Sequence, residues 1–284
     1  VGKENFVTKF AAIILVIALI AIAAYFVLPM IGGALGLHPD YEGPRFKATG
    51  KRALIITTSQ PTLGPGGKKT GVFGSEMTAP YYEFQDAGME VDVASVRGGK
   101  IPIDPQSFVW FIADDADRRY LKDPTFQEKV EQSKSIDELR PEDYDIVFLA
   151  GGWGAAYDLG TSESLGAFIT KAWADGKVVG GVCHGPLGLL QAKDETGQPL
   201  VAGRKLTAVT DKQVKELGIT ETPQHPEREL RAAGANFDSE TKFRDMFANH
   251  VVVDGRLVTG QNQNAGSQVA QEMMRVAGGT PVAE

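Results

Sequence analysis

The chain has 284 residues, with 29 Lys and Arg against 36 Asp and Glu and a formal net charge of −7. That balance excludes a strongly basic nucleic-acid binder, because phosphate recognition needs a positive surface. Apolar residues at 43% and charged residues at 23% exclude a disordered or collagen-like chain, and the single cysteine, Cys183, excludes an intramolecular disulfide.

From Phe10 to Leu37 there is no charged side chain, and Phe10–Met30 reads FAAIILVIALIAIAAYFVLPM. A helix needs roughly 20 apolar residues to cross the hydrocarbon core, so residues 10–30 predict a single-pass N-terminal anchor in a lipid bilayer. A cleaved signal peptide would carry an apolar region of only about 7–15 residues before a small-residue cleavage site. The positive-inside count sets Lys3 and Lys9 against Arg45, Lys47, Lys51 and Arg52. It tilts toward a cytoplasmic C-terminal domain, but Lys51 and Arg52 are far from the helix, and the side stays open. Residues 1–37 are thus tail and transmembrane helix, and 38–50, polar with Pro and Gly, form a linker. Residues 51–284 are long enough for one domain.

Within that domain short apolar runs alternate with helical stretches. Ala53–Thr58 reads as a buried strand, 79–87 as a helix, and Glu90–Ser95 as an alternating strand. The charged segment 108–141 reads as a largely helical insertion over one edge. Asp145–Ala150 is a second buried run closed by Gly151-Gly152, and Lys177–Val182 a third, after a helix near 164–174. Val251–Val253 and Leu257–Thr259 flank Asp254-Gly255, a hairpin signal, and Ser267–Val276 closes as a helix. This alternation predicts an α/β fold: a mostly parallel sheet with helices on both faces and functional residues at the C-terminal strand ends.

Gly181-Val182-Cys183-His184-Gly185 fits a Gly-x-nucleophile-x-Gly elbow at a strand-to-helix turn. Val178–Val182 supplies the strand and Pro186–Gln191 the helix. Cys183 at that helix N-terminus is expected to be a thiolate, favoured by free N–H groups and the helix dipole. The four histidines show no paired ligand spacing, so no metal site is expected. Gly64-Pro-Gly-Gly-Lys68 lacks the spacing of a phosphate loop, and no cofactor is implied.

Together GGVCHGP, the upstream GGWGAAYDL and the run TGVFGSEMTAPYYEFQDAGMEVDVASVRGGKIPIDPQS resemble the ThiJ/PfpI superfamily. The long insertion and the ending HVVVDGRLVTGQNQNAGSQVA look most like its heat-shock chaperone and glyoxalase III subgroup. The resemblance spans about Lys51 to Val276. It implies a class I glutamine-amidotransferase-like, flavodoxin-like doubly wound fold and often a homodimer. Glu76 matches the family's glutamate beside the nucleophile, and His184 its base or thiolate partner. Asp211 is the nearest carboxylate to the family's third, orienting acid, although the registration is off by about two residues. Gly152, Trp153 and Gly154 match a Gly-Gly-His-Gly turn that forms an oxyanion hole with the His184 amide, with Trp153 replacing the usual histidine. His225-Pro226-Glu227 mimics the His-x-Glu of true glutamine amidotransferases. It lies only 42 positions past Cys183, however, and reads as a helix start.

The resemblance implies a cofactor-independent enzyme that converts methylglyoxal and water to lactate on Cys183. Three other readings stay open: a non-enzymatic chaperone or accessory subunit of a membrane complex, a cysteine hydrolase or hydratase of another substrate, and redox sensing at an activated thiol.

Overall fold

A computed structural model describes residues 2–219 and 221–282, with side chains from residue 8 onward. In chain order its elements are α1 (Gly2–Leu35), β1 (Phe46–Lys47), β2 (Arg52–Thr57), α2 (Gly74–Asp86), β3 (Glu90–Ser95) and β4 (Arg97–Gly99). There follow α3 (Asp115–Tyr120), α4 (Pro124–Glu131), β5 (Ser133–Ser135), β6 (Ile146–Leu149), α5 (Ala155–Asp158), α6 (Glu163–Ala174) and β7 (Val178–Val182). The last are β8 (Lys205–Leu206), α7 (Asp211–Glu216), α8 (Pro226–Ala232), β9 (Asn236–Phe237), β10 (Val251–Asp254), β11 (Leu257–Gly260), α9 (Gly266–Val276) and β12 (Thr280–Pro281).

The main sheet has eight strands in the order β10-β11-β7-β6-β2-β3-β5-β4. It is parallel from β11 to β5 and antiparallel only at its two edges, where β10 pairs with β11 and β4 with β5. Side-chain alternation along β2 assigns the two faces. Ala53 and Ile55 join a core with Met77, Tyr81 and Phe84 of α2 and Val269 and Met273 of α9. Leu54 and Ile56 join the opposite core with Leu165, Phe168 and Ile169 of α6. Helix α6 shows why it forms: Ser162 Oγ accepts from the Leu165 amide, and Leu165, Phe168, Ile169, Ala172 and Trp173 make one buried stripe at helical spacing. The Asp254-Gly255 hairpin and the closing helix stand where their patterns predict them.

Four expectations need correction. Helix α2 starts at Gly74, five residues before the predicted 79, because the Ser107 hydroxyl, 33 positions away, caps the Gly74 amide. The segment 108–141 does more than cover an edge: it adds β5 to the sheet and buries Phe126 and Val130 in the core. The segment 38–50 is not free linker throughout, since β1 pairs with β12 and Phe46 and Ala48 are buried. Its start is also held, because the His38 amide donates to Asn264 Oδ1 while Asn264 Nδ2 donates to the Gly36 carbonyl. Finally, Gly185–Leu189 after the elbow is one short 3-10 helix, not the α-helix expected over 186–191.

Helix α1 is apolar enough to cross a membrane over Thr8–Leu35, and none of its apolar window is buried against the rest of the chain. The burial of a soluble core helix is therefore missing from it.

Candidate active site

The site forms at the C-terminal ends of β6 and β7, where the sheet's parallel order leaves a crevice. Cys183 follows β7 with φ of +59°, a conformation that L side chains adopt only under strain. Two flanking glycines make that turn possible. A Cβ at Gly181 or Gly185 would stand 2.1 or 2.0 Å from the Leu149 carbonyl oxygen of β6, far inside van der Waals contact. The elbow read from the sequence is therefore present in backbone and in packing.

Cys183 is buried, and its Sγ lies 3.4 Å from His184 Nδ1. Burial pushes the thiol well above its ordinary range, and the Glu76 carboxyl beside it pushes in the same direction. The resting group is thus a thiol, not the expected thiolate. The physical reason is that desolvation in a closed pocket outweighs the N–H groups of Gly152 and His184 that face the sulfur. A five-residue 3-10 helix adds little dipole to help them.

Glu76, in the first turn of α2, is buried, and its Oε2 has no hydrogen-bonding partner. Burial raises its carboxyl to about 8; the neighbouring Cys183 thiol and the Gly151 and Gly152 amides pull it down without offsetting that. A Cβ at Gly151 would stand 2.5 Å from Oε2, so the first glycine of the turn is what lets the carboxyl approach. His184 is pushed down to about 3, by burial first and by the charge of His225 second, which keeps the imidazole neutral. Its Nε2 is buried without a partner.

The Gly151–Gly154 turn divides its tasks. Gly152 has φ of +90°, and a Cβ there would lie 2.3 Å from the Phe73 amide nitrogen. The Trp153 ring packs 4.7 Å from the His184 ring, centroid to centroid, and lines the cavity. Gly154 does not serve the oxyanion hole as expected, because its amide donates to the Gly71 carbonyl and it does not line the cavity. Asp211 is also displaced from its expected place. It opens α7 and faces His225 Nδ1 at 3.4 Å and Arg228 at 3.5 Å, with no bond to His184. His225 stands at the N-terminus of α8, the helix-start role read from Pro226 and the glutamates after it.

A cavity of about 130 Å³ collects Cys183, His184, Glu76, Gly152 and Trp153. Leu37, Phe73, Ile112, Val209, Leu217 and Met246 make most of its other walls apolar. Gln213 also lines it, buried, with Oε1 unpartnered and free to accept a hydrogen bond from a ligand. Sequence reasoning missed these wall residues because they come from five separate segments with no shared motif.

The profile of the DJ-1/PfpI family matches residues 69–276. Glyoxalase 3 of Candida albicans is 31% identical over 229 residues, covering 79% of this chain and 97% of that protein. The crystal structure of glyoxalase III from Candida albicans superposes with a TM-score of 0.73 at 29% identity, covering 80% of this chain and 97% of the other. The Rapid Encystment Protein 24 KDa of Francisella tularensis superposes with a TM-score of 0.74 at 29% identity, over 80% of this chain and 99% of that one.

Proposed function

The chain belongs to the DJ-1/PfpI family, and from that premise we propose that it is a glutathione-independent glyoxalase, held to a membrane by α1, that converts 2-oxoaldehydes to 2-hydroxy acids. The observation that carries this is the meeting of one thiol, one neutral imidazole and one carboxyl of raised pKa in a small, largely apolar cavity. Relatives named as glyoxalases at about 30% identity support it.

The chemistry follows from the geometry. Cys183 Sγ bonds to the aldehyde carbon as its proton passes to His184 Nδ1, and the carbonyl π pair moves onto oxygen. The N–H groups of Gly152 and His184, which face the sulfur in the free site, then turn to that charge. His184 returns the proton to the oxygen, leaving a hemithioacetal. The ionised Glu76 carboxylate then removes the hydrogen from the same carbon and delivers it to the neighbouring carbonyl carbon, while the hydroxyl proton shifts to the second oxygen. The first carbon is oxidised to a thioester and the second reduced to a carbinol, so no external oxidant or reductant is needed. Water cleaves the thioester, and the thiol leaves with a proton. The balance is one 2-oxoaldehyde plus one water to one 2-hydroxy acid.

Anchoring is supported by the length, apolarity and exposure of α1. The deciding experiment measures lactate from methylglyoxal with the full chain in detergent or vesicles. Wild type should turn over without glutathione and Cys183→Ala should not; equal inactivity of both rejects the reading.

A further inference from the structure

Two aromatic residues tie the domain to its anchor. Tyr25, inside the apolar run of α1, stacks on Trp110 with ring centroids 4.8 Å apart and planes 21° apart. Counting about 20 residues from Phe10 at 1.5 Å each places the near edge of the hydrocarbon core around Pro29. Tyr25 then lies about 6 Å inside that edge, four residues deeper at the same rise. Trp110 is in contact with it and must sit at the same depth. Such a depth is that of an interfacial aromatic side chain or amphipathic helix, not of a loop in water.

The surroundings of Trp110 agree. Phe111 packs edge-on against it, and the two are 40% and 39% exposed although both are large and apolar. Phe243, 76% exposed, stacks on Phe247, whose carbonyl lies against Gly36 at the end of α1. Charges of both signs neighbour these aromatics in the chain, Asp114 and Asp115 after Phe111 and Lys242 and Arg244 around Phe243, so the attraction to lipid is apolar rather than electrostatic. This aromatic rim adjoins the cavity through its neighbours in the chain. Ile112, two residues past Trp110, and Leu37, two residues past the end of α1, both line the cavity that holds Cys183.

We propose that the active-site mouth opens at the bilayer interface, with Trp110 and Phe111 inserted among the lipids, and that the site draws apolar-chained 2-oxoaldehydes from the membrane. This rests on the anchoring and glyoxalase readings above and names the substrate class of that same site. The cavity that holds Cys183 is about 130 Å³. It seats a dicarbonyl head, and we place a longer alkyl chain past Leu37 and Ile112, the lining residues nearest in the chain to α1 and Trp110.

The test uses the full chain in phosphatidylcholine vesicles whose acyl chains are brominated near the headgroup. Among the three tryptophans, Trp110 should be the quenched one. Wild type should float with the vesicles and lose part of its emission; Trp110→Phe should float equally and lose that quenched component. Flotation with no quenching, or with equal quenching in Trp110→Phe, overturns the docking while leaving the anchor intact. Failure to float overturns both. Neither readout depends on activity, so failure of the glyoxalase reading registers separately. With a long-chain alkylglyoxal, kcat/KM in vesicles should drop several-fold in Trp110→Phe/Phe111→Ser, while methylglyoxal turnover stays within about twofold. Equal loss on both substrates, or none on either, overturns the substrate class.

Discussion

The Trp153 indole packs 4.7 Å from the His184 imidazole at a tilt of 57°, directly beside the Cys183 thiol. This contact helps to keep water off a histidine that burial already holds neutral at a pKa of about 3. Trp153→Ala admits solvent, and desolvation is the main cause of the low value, so His184 should titrate higher. Followed by NMR, the titration of the His184 imidazole should move up by about one unit or more. An unmoved His184 titration would show that the ring does not shield it.

Glu76 acts on carbon only when ionised, and its carboxyl is raised to about 8. Lactate formation should therefore rise with pH and level off above about 8, the fraction of carboxylate setting the rate. Glu76→Gln should lose roughly 10²–10⁴-fold in kcat, the usual worth of a general base, and the pH-dependent rise with it. It should still react slowly with an alkylating agent, since Cys183 and His184 remain in place. A variant that kept the same rise in rate would remove Glu76 from the proton transfer.

The same carboxyl links stability to pH. In an unfolded chain it releases its proton near 4.5, but in the folded chain only near 8. Between those values the folded state holds a proton that the unfolded state has lost. The stabilisation this represents is complete below about 4.5 and disappears as pH rises through about 8. Glu76→Gln cannot ionise, so it should be more stable than wild type at about pH 8.5, by on the order of a few kcal/mol, and close to it at about pH 4.5. Denaturant midpoints at the two pH values measure the difference; a gap that shrinks toward high pH contradicts the assignment.

Asp211 serves as a check on the triad. It faces His225 and Arg228, and His184 Nε2 has no partner. Asp211→Asn should therefore reduce kcat/KM by less than about tenfold, against the far larger loss expected of Glu76→Gln. A loss as large as that of Glu76→Gln would make Asp211 an orienting residue after all, acting through His225.

The elbow glycines, the lone cysteine and the histidine after it are contiguous. Their chemistry and strain are local, so residues 181–185 were legible as a site before any fold was known. The same holds for the buried strands β2, β6 and β7, whose apolar runs are continuous because both faces of a central parallel strand are covered. Glu76 was reached only through resemblance. Nothing in Gly74-Ser-Glu-Met says that this carboxyl is buried, whereas position 151 is glycine because a side chain there would collide with it.

What the sequence alone determined was a central strand ending in a strained nucleophile, and an apolar segment of membrane-spanning length. What only the tertiary structure decided was the state and setting of that nucleophile. The thiol is protonated because the folded chain closes Glu76 and a 3-10 turn around it, and desolvation exceeds the pull of the backbone amides. The cavity wall comes from Leu37, Ile112, Val209 and Met246, residues far apart in the chain, and it joins the site to the end of α1. Such relationships depend on which surfaces meet after folding, and spacing along the chain carries no record of them.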